Sequence, residues 1–499
     1  MRERELKLAV GDTFVMPSLV DDGTGVVAVR DLPELELGSV YHDTADLRLA
    51  RNGVTLRYRI GDEGGPRWSL KLPVPDQDLS EREELSFDGG PAEIPHDARD
   101  LVAAWARRGH LAPAAALSTR RRRWLLEGPD GADLAELVHD DVSVLDGDRV
   151  VGRFRELELE SRGPELDALQ PIVILLQRAG ATPAEPMPKA VRALGPRAAA
   201  PPDVVLPTAD PKGEAGGAVR LALASGVRRL ITYDAPTRLG EAEPLHQMRV
   251  ATRRLRADLR TFAPLLDPDW TDGLVEELRW LGNLLGAVRD RDVQLAALGD
   301  GLGDLQTALV PLVTAIEEAR TSASAELMTG LATPRYLDLL ERLVQAARDP
   351  MLTEEAGRRA DKSVDDLLAK VARRTQSRAA AVVADSPDEA FHAARIAAKK
   401  LRYAAEAIGP FTSGHTRRLG KIARCSSRLQ DLLGKLQDVL VMQQQVRSTV
   451  DARPKDAMFA FAAGRFLERL EEDRHNVRAA FPPARKALLR ELDRWAEDR

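Results

Sequence analysis

Glu3, Glu5 and Lys7 stand two residues apart at the N-terminus. The same spacing recurs in Glu156, Glu158 and Glu160, in Arg57 and Arg59, in Arg67, Ser69 and Lys71, in Arg82 and Glu84, and in Arg121 and Arg123. On an extended chain this spacing puts the members of each set on one face of a strand. Carboxylates gathered on one wall suit a hard divalent cation such as Mg²⁺, which prefers carboxylate and phosphate oxygen. Arg and Lys on the other walls suit the remaining phosphate oxygens. Phosphoryl transfer asks little covalent chemistry of a protein, so positioning and charge neutralisation of this kind carry most of its catalysis.

A second constellation has helical spacing. His246, Arg249, Arg253, Arg256 and Arg260 follow one another at intervals of 3, 4, 3 and 4 residues, which places them on one stripe. His392, Arg395, Lys399 and Arg402 repeat the pattern, and Arg417, Lys421, Arg424 and Arg428 form a further basic run. Like charges so spaced repel by a few tenths of a kcal/mol per pair, a cost that a polyanion lying along the stripe would relieve. His246 and His392 have no metal-ligand partner at a suitable spacing. They fit either a structural hydrogen bond or a phosphate contact.

These residues need a scaffold, and the pattern along the chain changes once, near residue 200. Up to about 195, short alternating runs such as Val54–Ile60, Trp68–Leu72 and Glu156–Glu160 are bounded by Gly, Pro and Asp, as in antiparallel strands. Helical stretches near 98–108 and 165–179 interrupt them. The faces opposite the charged ones carry Leu56, Tyr58 and Ile60, or Trp68, Leu70 and Leu72. If those pack outward under helices, the charged faces point inward together, as in a closed barrel. A Pro/Gly/Ala-rich connector at 198–216 separates this domain, 1–197, from residues 217–499. There the apolar residues recur at three- and four-residue spacing, the signature of an all-α domain. Within it the block from His246 to Arg256 returns at His392 to Arg402, and Leu284-Leu285-Gly286 returns at Leu432-Leu433-Gly434. Such a repeat marks a duplicated helical unit, about 217–365 and 366–499.

Composition sets limits. The chain has 499 residues, with 44% hydrophobic and 30% charged, enough for two or three cores. A formal net charge of −6 disfavours a nucleic-acid partner. The single cysteine, Cys425, excludes an internal disulfide, the N-terminus shows no basic start followed by an apolar run, and no stretch of about 18 uncharged apolar residues appears. The expected location is cytoplasmic, with no membrane contact.

Glu3-Arg-Glu5-Leu-Lys7 resembles the Glu-x-Glu-x-Lys signature of the CYTH, or triphosphate tunnel metalloenzyme, superfamily. Tyr41-His-Asp43-Thr44, Leu49-Ala-Arg51 through Arg59, Trp68-Ser-Leu-Lys71, Arg82-Glu-Glu84, Arg121-Arg-Arg123-Trp124, the Glu156/Glu158/Glu160 strand and Pro188-Lys189 follow in that family's order. The resemblance covers roughly 1–195. It implies an eight-stranded antiparallel tunnel that transforms a triphosphate with Mg²⁺ or Mn²⁺. Glu3, Glu5, Glu156 and Glu158 would be metal ligands, and Glu3, Glu5 and Lys7 the catalytic set. Lys7, Arg57, Arg59, Lys71, Arg82, Arg123 and Lys189 would hold phosphates. Glu136 and Asp140 fall in a segment that permits more than one alignment, and their roles stay open. The helical half resembles the CHAD, or conserved histidine α-helical, domain. That resemblance implies two pseudosymmetric bundles that bind polyphosphate through His246, Arg249, Arg253, Arg256, His392, Arg395, Lys399 and Arg402. Gln437 stands where the first repeat has Arg289, so the repeats need not bind equally. The expected function is hydrolysis of inorganic triphosphate or short polyphosphate, with the helical half holding polyphosphate, in the cytoplasm or on polyphosphate granules. The alternatives are a non-catalytic polyphosphate binder, or a tunnel enzyme acting on thiamine triphosphate or a nucleotide, including adenylyl cyclisation.

Overall fold

The computed structural model describes residues 2–498 except 22, 76–80, 164–165, 185–186, 300–304 and 384; the side chains of residues 2–4, 81 and 498 also lie outside the description. The chain forms two compact units, Met1–Asp203 and Val204–Arg499.

The first unit runs β1 (Arg2–Val10), β2 (Ala28–Asp43), α1 (Arg48–Arg51), β3 (Thr55–Ile60), β4 (Arg67–Pro73), β5 (Glu81–Phe87), α2 (His96–Leu101), α3 (Ala103–Ala106), β6 (Ala112–Glu127), β7 (Asp133–Asp146), β8 (Arg149–Ser161), α4 (Gln170–Arg178), β9 (Thr182–Pro183) and α5 (Lys189–Leu194). Among the described residues one antiparallel sheet takes all nine strands in the order β5-β4-β3-β2-β6-β7-β8-β1-β9, and β1 also pairs with β5 through Arg2↔Glu83 and Arg4↔Glu81. The expectation was eight strands; the ninth is the two-residue β9, laid on β1 at Leu8 and Ala9. The alternating faces behave as their chemistry requires. Leu8, Leu137, Leu157 and Leu159 form a buried cluster with Ile172, Val173 and Leu176 of α4, and Leu56, Trp68, Leu70 and Leu72 are equally buried. Asp43 organises the turn after β2: its carboxylate accepts from the backbone N–H groups of Leu49 and Ala50, both at 2.9 Å.

The second unit is helical: α6 (Gly216–Thr232), α7 (Asp234–Arg238), α8 (Ala242–Thr261), α9 (Pro268–Gly299), α10 (Val310–Leu331), α11 (Pro334–Arg348), α12 (Ala360–Ala380), α13 (Asp388–Ile408), α14 (Thr416–Asp451) and α15 (Ala457–Asp498). The repeated sequence blocks fall on α8 and α9 and again on α13 and α14. Met248, Leu255 and Leu259 of α8 turn inward, and Ala394, Ala398 and Leu401 of α13 do the same. Each basic stripe is therefore held on the opposite side of an apolar one. Gly226 lets α6 approach α8 closely: a Cβ there would meet Leu255 Cδ2 at 2.5 Å. Direct bonds join the two repeats, with Arg253 Nε donating to Tyr403 Oη at 3.1 Å and Arg254 Nη1 to Glu406 Oε2 at 2.7 Å. Among the described residues no helix is long and apolar enough to cross a membrane.

Candidate functional site

Register builds the first site. Residues directly opposed on antiparallel strands share a face. The pairs Lys7↔Glu158 and Glu5↔Glu160 between β1 and β8, Asp140↔Glu156 between β7 and β8, and Arg121↔Asp140 between β6 and β7 therefore set charged side chains against each other. With residues from β2 to β5 they surround a cavity of about 400 Å³ lined by Glu5, Lys7, Tyr41, Arg57, Arg59, Lys71, Arg82, Glu84, Arg121, Glu158, Glu160 and Lys189. Glu3 sits opposite Arg82 in the backbone register, and its side chain lies outside the described residues.

Glu158 is the hub. Its carboxylate takes Lys7 Nζ and Lys189 Nζ at 2.7 Å each and Arg121 Nη2 at 3.0 Å. Burial would raise its pKa, but Lys189, Lys7 and Arg121 outweigh that and hold it well below the usual carboxylate range. Glu160, two residues on, goes the other way: burial and the neighbouring Glu158 charge push it up. Asp140 is fully buried, bonded by Arg121 at 2.8 and 2.7 Å and by Lys189 at 2.9 Å. On the basic side, Arg57 donates to Ser69 Oγ at 3.0 Å, to Glu84 at 3.3 Å and to Tyr41 Oη at 3.4 Å. Burial, then Arg57 and Arg121, push the Arg59 guanidinium down to about 10. The arginine stays charged at neutral pH, and the shift marks a repulsion that a bound anion would relieve.

The carboxylates fit a metal. Oxygens of Glu5, Glu158 and Glu160 lie within 4.8 Å of one another, as do those of Asp140, Glu156 and Glu158. All-oxygen donors suit Mg²⁺ or Mn²⁺. The first group opens on the cavity; the second is fully buried and each member already meets Lys189.

Two expected residues, Arg123 and Glu156, are not among the residues lining the cavity, and Glu136, whose role stayed open, does not line it either. Arg123 is not among the cavity residues: its guanidinium pairs with Glu63 and approaches Glu136 at 3.7 Å. Glu156 lies beside the cavity wall, held by Lys189 at 2.7 Å and Arg192 at 3.5 Å. Glu136 pairs with Arg162 and Arg123. Arg121, Glu160, Tyr41 and Glu84 line the cavity as well, beyond the site residues expected from the sequence. Strand parity groups Arg121 with Arg123, and only the register with β7 separates them, setting Arg121 opposite Asp140 and Arg123 opposite Val138; Glu160 shares its parity with Glu158 and lines the same cavity.

In the helical unit the two stripes meet in one cavity of about 1050 Å³, lined by His246, Arg249, Arg253, Arg256, Arg289, His392, Arg395 and Lys399, with Asp290, Asp438, Gln437 and Arg469 among the rest. The sequence presented two faces; the structure joins them, because α8 and α13 pack together. Arg249 Nη2 meets Asp290 at 2.9 Å. Burial lowers the pKa of Arg249, Arg256 and Arg395, with neighbouring arginines adding to it. His392 Nδ1 lies 2.8 Å from Gln437 Oε1, whereas buried His246 Nδ1 has no hydrogen-bond partner and its pKa falls through burial and Arg289. The Arg-to-Gln difference between the repeats is thus felt by the histidines. Arg402 turns away, donating to Glu406 at 2.9 Å, and does not line the cavity.

A sheet-built cavity with facing acidic and basic walls, followed by a helical unit with an arginine-rich cavity, defines a protein of two modules. Family models match accordingly: the CYTH domain over residues 1–181 and the CHAD domain over residues 221–447. Two uncharacterized proteins of Mycobacterium tuberculosis, MT2285 and Rv2226, are each 30% identical over 98% of both chains. The chain belongs to the CYTH–CHAD family. Among solved structures it is similar to PptA from Streptomyces chartreusis (21% identity, TM-score 0.46, 55% of this chain and 99% of that one) and to the CHAD domain of the plant Ricinus communis (23%, 0.44, 58% and 95%). It is also similar to HpAC1 from Hippeastrum, described as a putative adenylyl cyclase with a dominant triphosphatase activity (18%, 0.21, 36% and 90%).

Proposed function

We propose that the first unit is an eight-stranded tunnel that hydrolyses inorganic triphosphate or short polyphosphate with Mg²⁺ or Mn²⁺, and that the helical unit binds polyphosphate. The observation that carries this reading is the single cavity in which Glu5, Glu158 and Glu160 face Arg57, Arg59, Lys71 and Arg82. Glu5 and Glu160, with Glu158, would hold the metal, which supplies charge neutralisation to the phosphate oxygens. Arg57, Arg59, Lys71 and Arg82 hold and orient the chain, and Lys7 and Lys189 keep Glu158 ionised. Tyr41 is the one aromatic among the described lining residues, and its hydroxyl meets Arg57. It offers no open platform for a base, which favours an inorganic substrate over a nucleotide. The assay is phosphate release from tripolyphosphate, ATP and thiamine triphosphate, with Mg²⁺, Mn²⁺ or a chelator. Metal-dependent release, fastest from tripolyphosphate, is expected; no release from any of the three with either metal would refute the enzymatic reading.

A further inference from the structure

A smaller cavity of about 370 Å³ adjoins the large helical one, between α8, α12 and α13. Among the described residues six cations line it: Arg253, Arg256, Arg260, Arg374, Lys399 and Lys400. The large cavity sets Asp290, Asp438, Glu472 and Asp473 among its arginines, whereas no carboxylate lines the small one. Among the described residues none of the six forms an ion pair, and the buried Nε of Arg256 has no hydrogen-bond partner. Glu276 acts on Arg256 only from outside the lining. The sequence repeat shows how such charge is met elsewhere. Counting on from the repeated block, Glu406 stands in the second unit where Arg260 stands in the first. Glu406 accepts from Arg254 at 2.7 Å and from Arg402 at 2.9 Å, which neutralises those cations within the chain. With arginine in that place, the cations of the small cavity are left to one another, and a bound anion would relieve their repulsion. Arg260, Arg374 and Lys400 are exposed, and they come from three different helices around one cavity instead of following one another along a stripe. That convergence suits a compact anion better than a long chain.

We propose that the small cavity is a separate site for a compact phosphate anion, orthophosphate or pyrophosphate, and that filling it weakens the hold of the large cavity on polyphosphate. Arg253, Arg256 and Lys399 border both cavities. An anion on one side neutralises charge that the other side uses, and the coupling is reciprocal. Orthophosphate and pyrophosphate are the anions that hydrolysis of a triphosphate releases, so the hold on polyphosphate would fall as they accumulate. The coupling rests on the proposed polyphosphate binding, and the site itself does not.

The test is calorimetric titration of the full-length chain with pyrophosphate in the presence of a chelator, so that the first unit does not turn over. Arg374→Gln combined with Lys400→Gln should weaken one class of pyrophosphate site about tenfold or more, the scale of losing two charged contacts. Arg289→Gln, at a residue that borders the large cavity alone, should leave that class unchanged. The double variant should keep the parent's affinity for long-chain polyphosphate. Saturating pyrophosphate should weaken polyphosphate binding several-fold more in the parent than in the double variant. Circular dichroism checks that the variants are folded. Pyrophosphate binding by the folded double variant equal to the parent's overturns the site. A loss of long-chain affinity as large as the loss for pyrophosphate also overturns it, since the small cavity would then belong to the path of the chain. Equal competition by pyrophosphate in parent and double variant overturns the coupling. If the parent binds pyrophosphate in this pattern and no polyphosphate, the polyphosphate reading falls and the site stands.

Discussion

At the scale of single residues, the first unit turns on how charge is shared around Glu158. Glu5 carries a proposed metal oxygen and is only lightly tied, by Lys7 at 3.2 Å. Glu5→Gln keeps the shape and removes the charge. Turnover should fall on the order of a hundredfold, the scale of losing one electrostatic contact to a reacting group, with an unchanged melting temperature. Unaltered metal-dependent turnover would count against the site. Asp258 of α8 makes a separate prediction. Both its carboxylate oxygens lack hydrogen-bond partners, its nearest cation is Arg254 at 3.8 Å, and burial lifts its pKa to about 7. Between about pH 4 and pH 7 the folded chain therefore keeps a proton that the unfolded chain releases, and stability falls across that window as pH rises. The loss is a few kcal/mol, at roughly 1.4 kcal/mol per pKa unit. Asp258→Asn should flatten the fall in urea-melt stability between pH 5 and pH 8, and an equal fall in both chains would show that other groups cause it. Much of the site was legible at this scale, because parity assigns residues to faces. Parity says nothing of the level along a strand, so Arg121 and Arg123 could not be told apart, nor could Arg256 and Arg402, which occupy matching repeat positions but meet different neighbours.

At the scale of elements, the helical unit shows why a duplicated motif does not fix where its two copies lie. Residue spacing placed each stripe on a helix face; that the two faces share one cavity follows from the α8–α13 contact, which local sequence does not encode. The expected consequence is joint dependence. Arg253→Glu together with Arg395→Glu should weaken long-chain polyphosphate binding roughly tenfold or more and flatten its salt dependence, since fewer phosphates are neutralised. Arg402→Glu should change affinity far less, because Arg402 is bonded to Glu406. Equal losses from both would place Arg402 in the site after all. Packing gives a plainer test. Gly226→Ala drives a methyl into Leu255 and should cost about 1–3 kcal/mol, read as a lowered urea midpoint. A midpoint unchanged from the parent would mean that α6 and α8 separate freely.

At the scale of the molecule, all described residues of the tunnel site lie before residue 204, and a fragment of residues 1–203 should keep tripolyphosphate hydrolysis. Its end matters. Arg107 pairs with Asp203 and Arg51 donates to the Pro201 carbonyl, contacts that a fragment stopped at 197 would lose; such a fragment should melt earlier with the same metal dependence. Loss of turnover in a folded 1–203 fragment would show that the helical unit completes the site. In the helical unit the two sequence repeats line one large cavity together instead of one each. Its valence for a polyanion is then one. Titration should saturate at a single chain per molecule, and removing either repeat should abolish capture rather than halve it, since what remains is one side of a cleft.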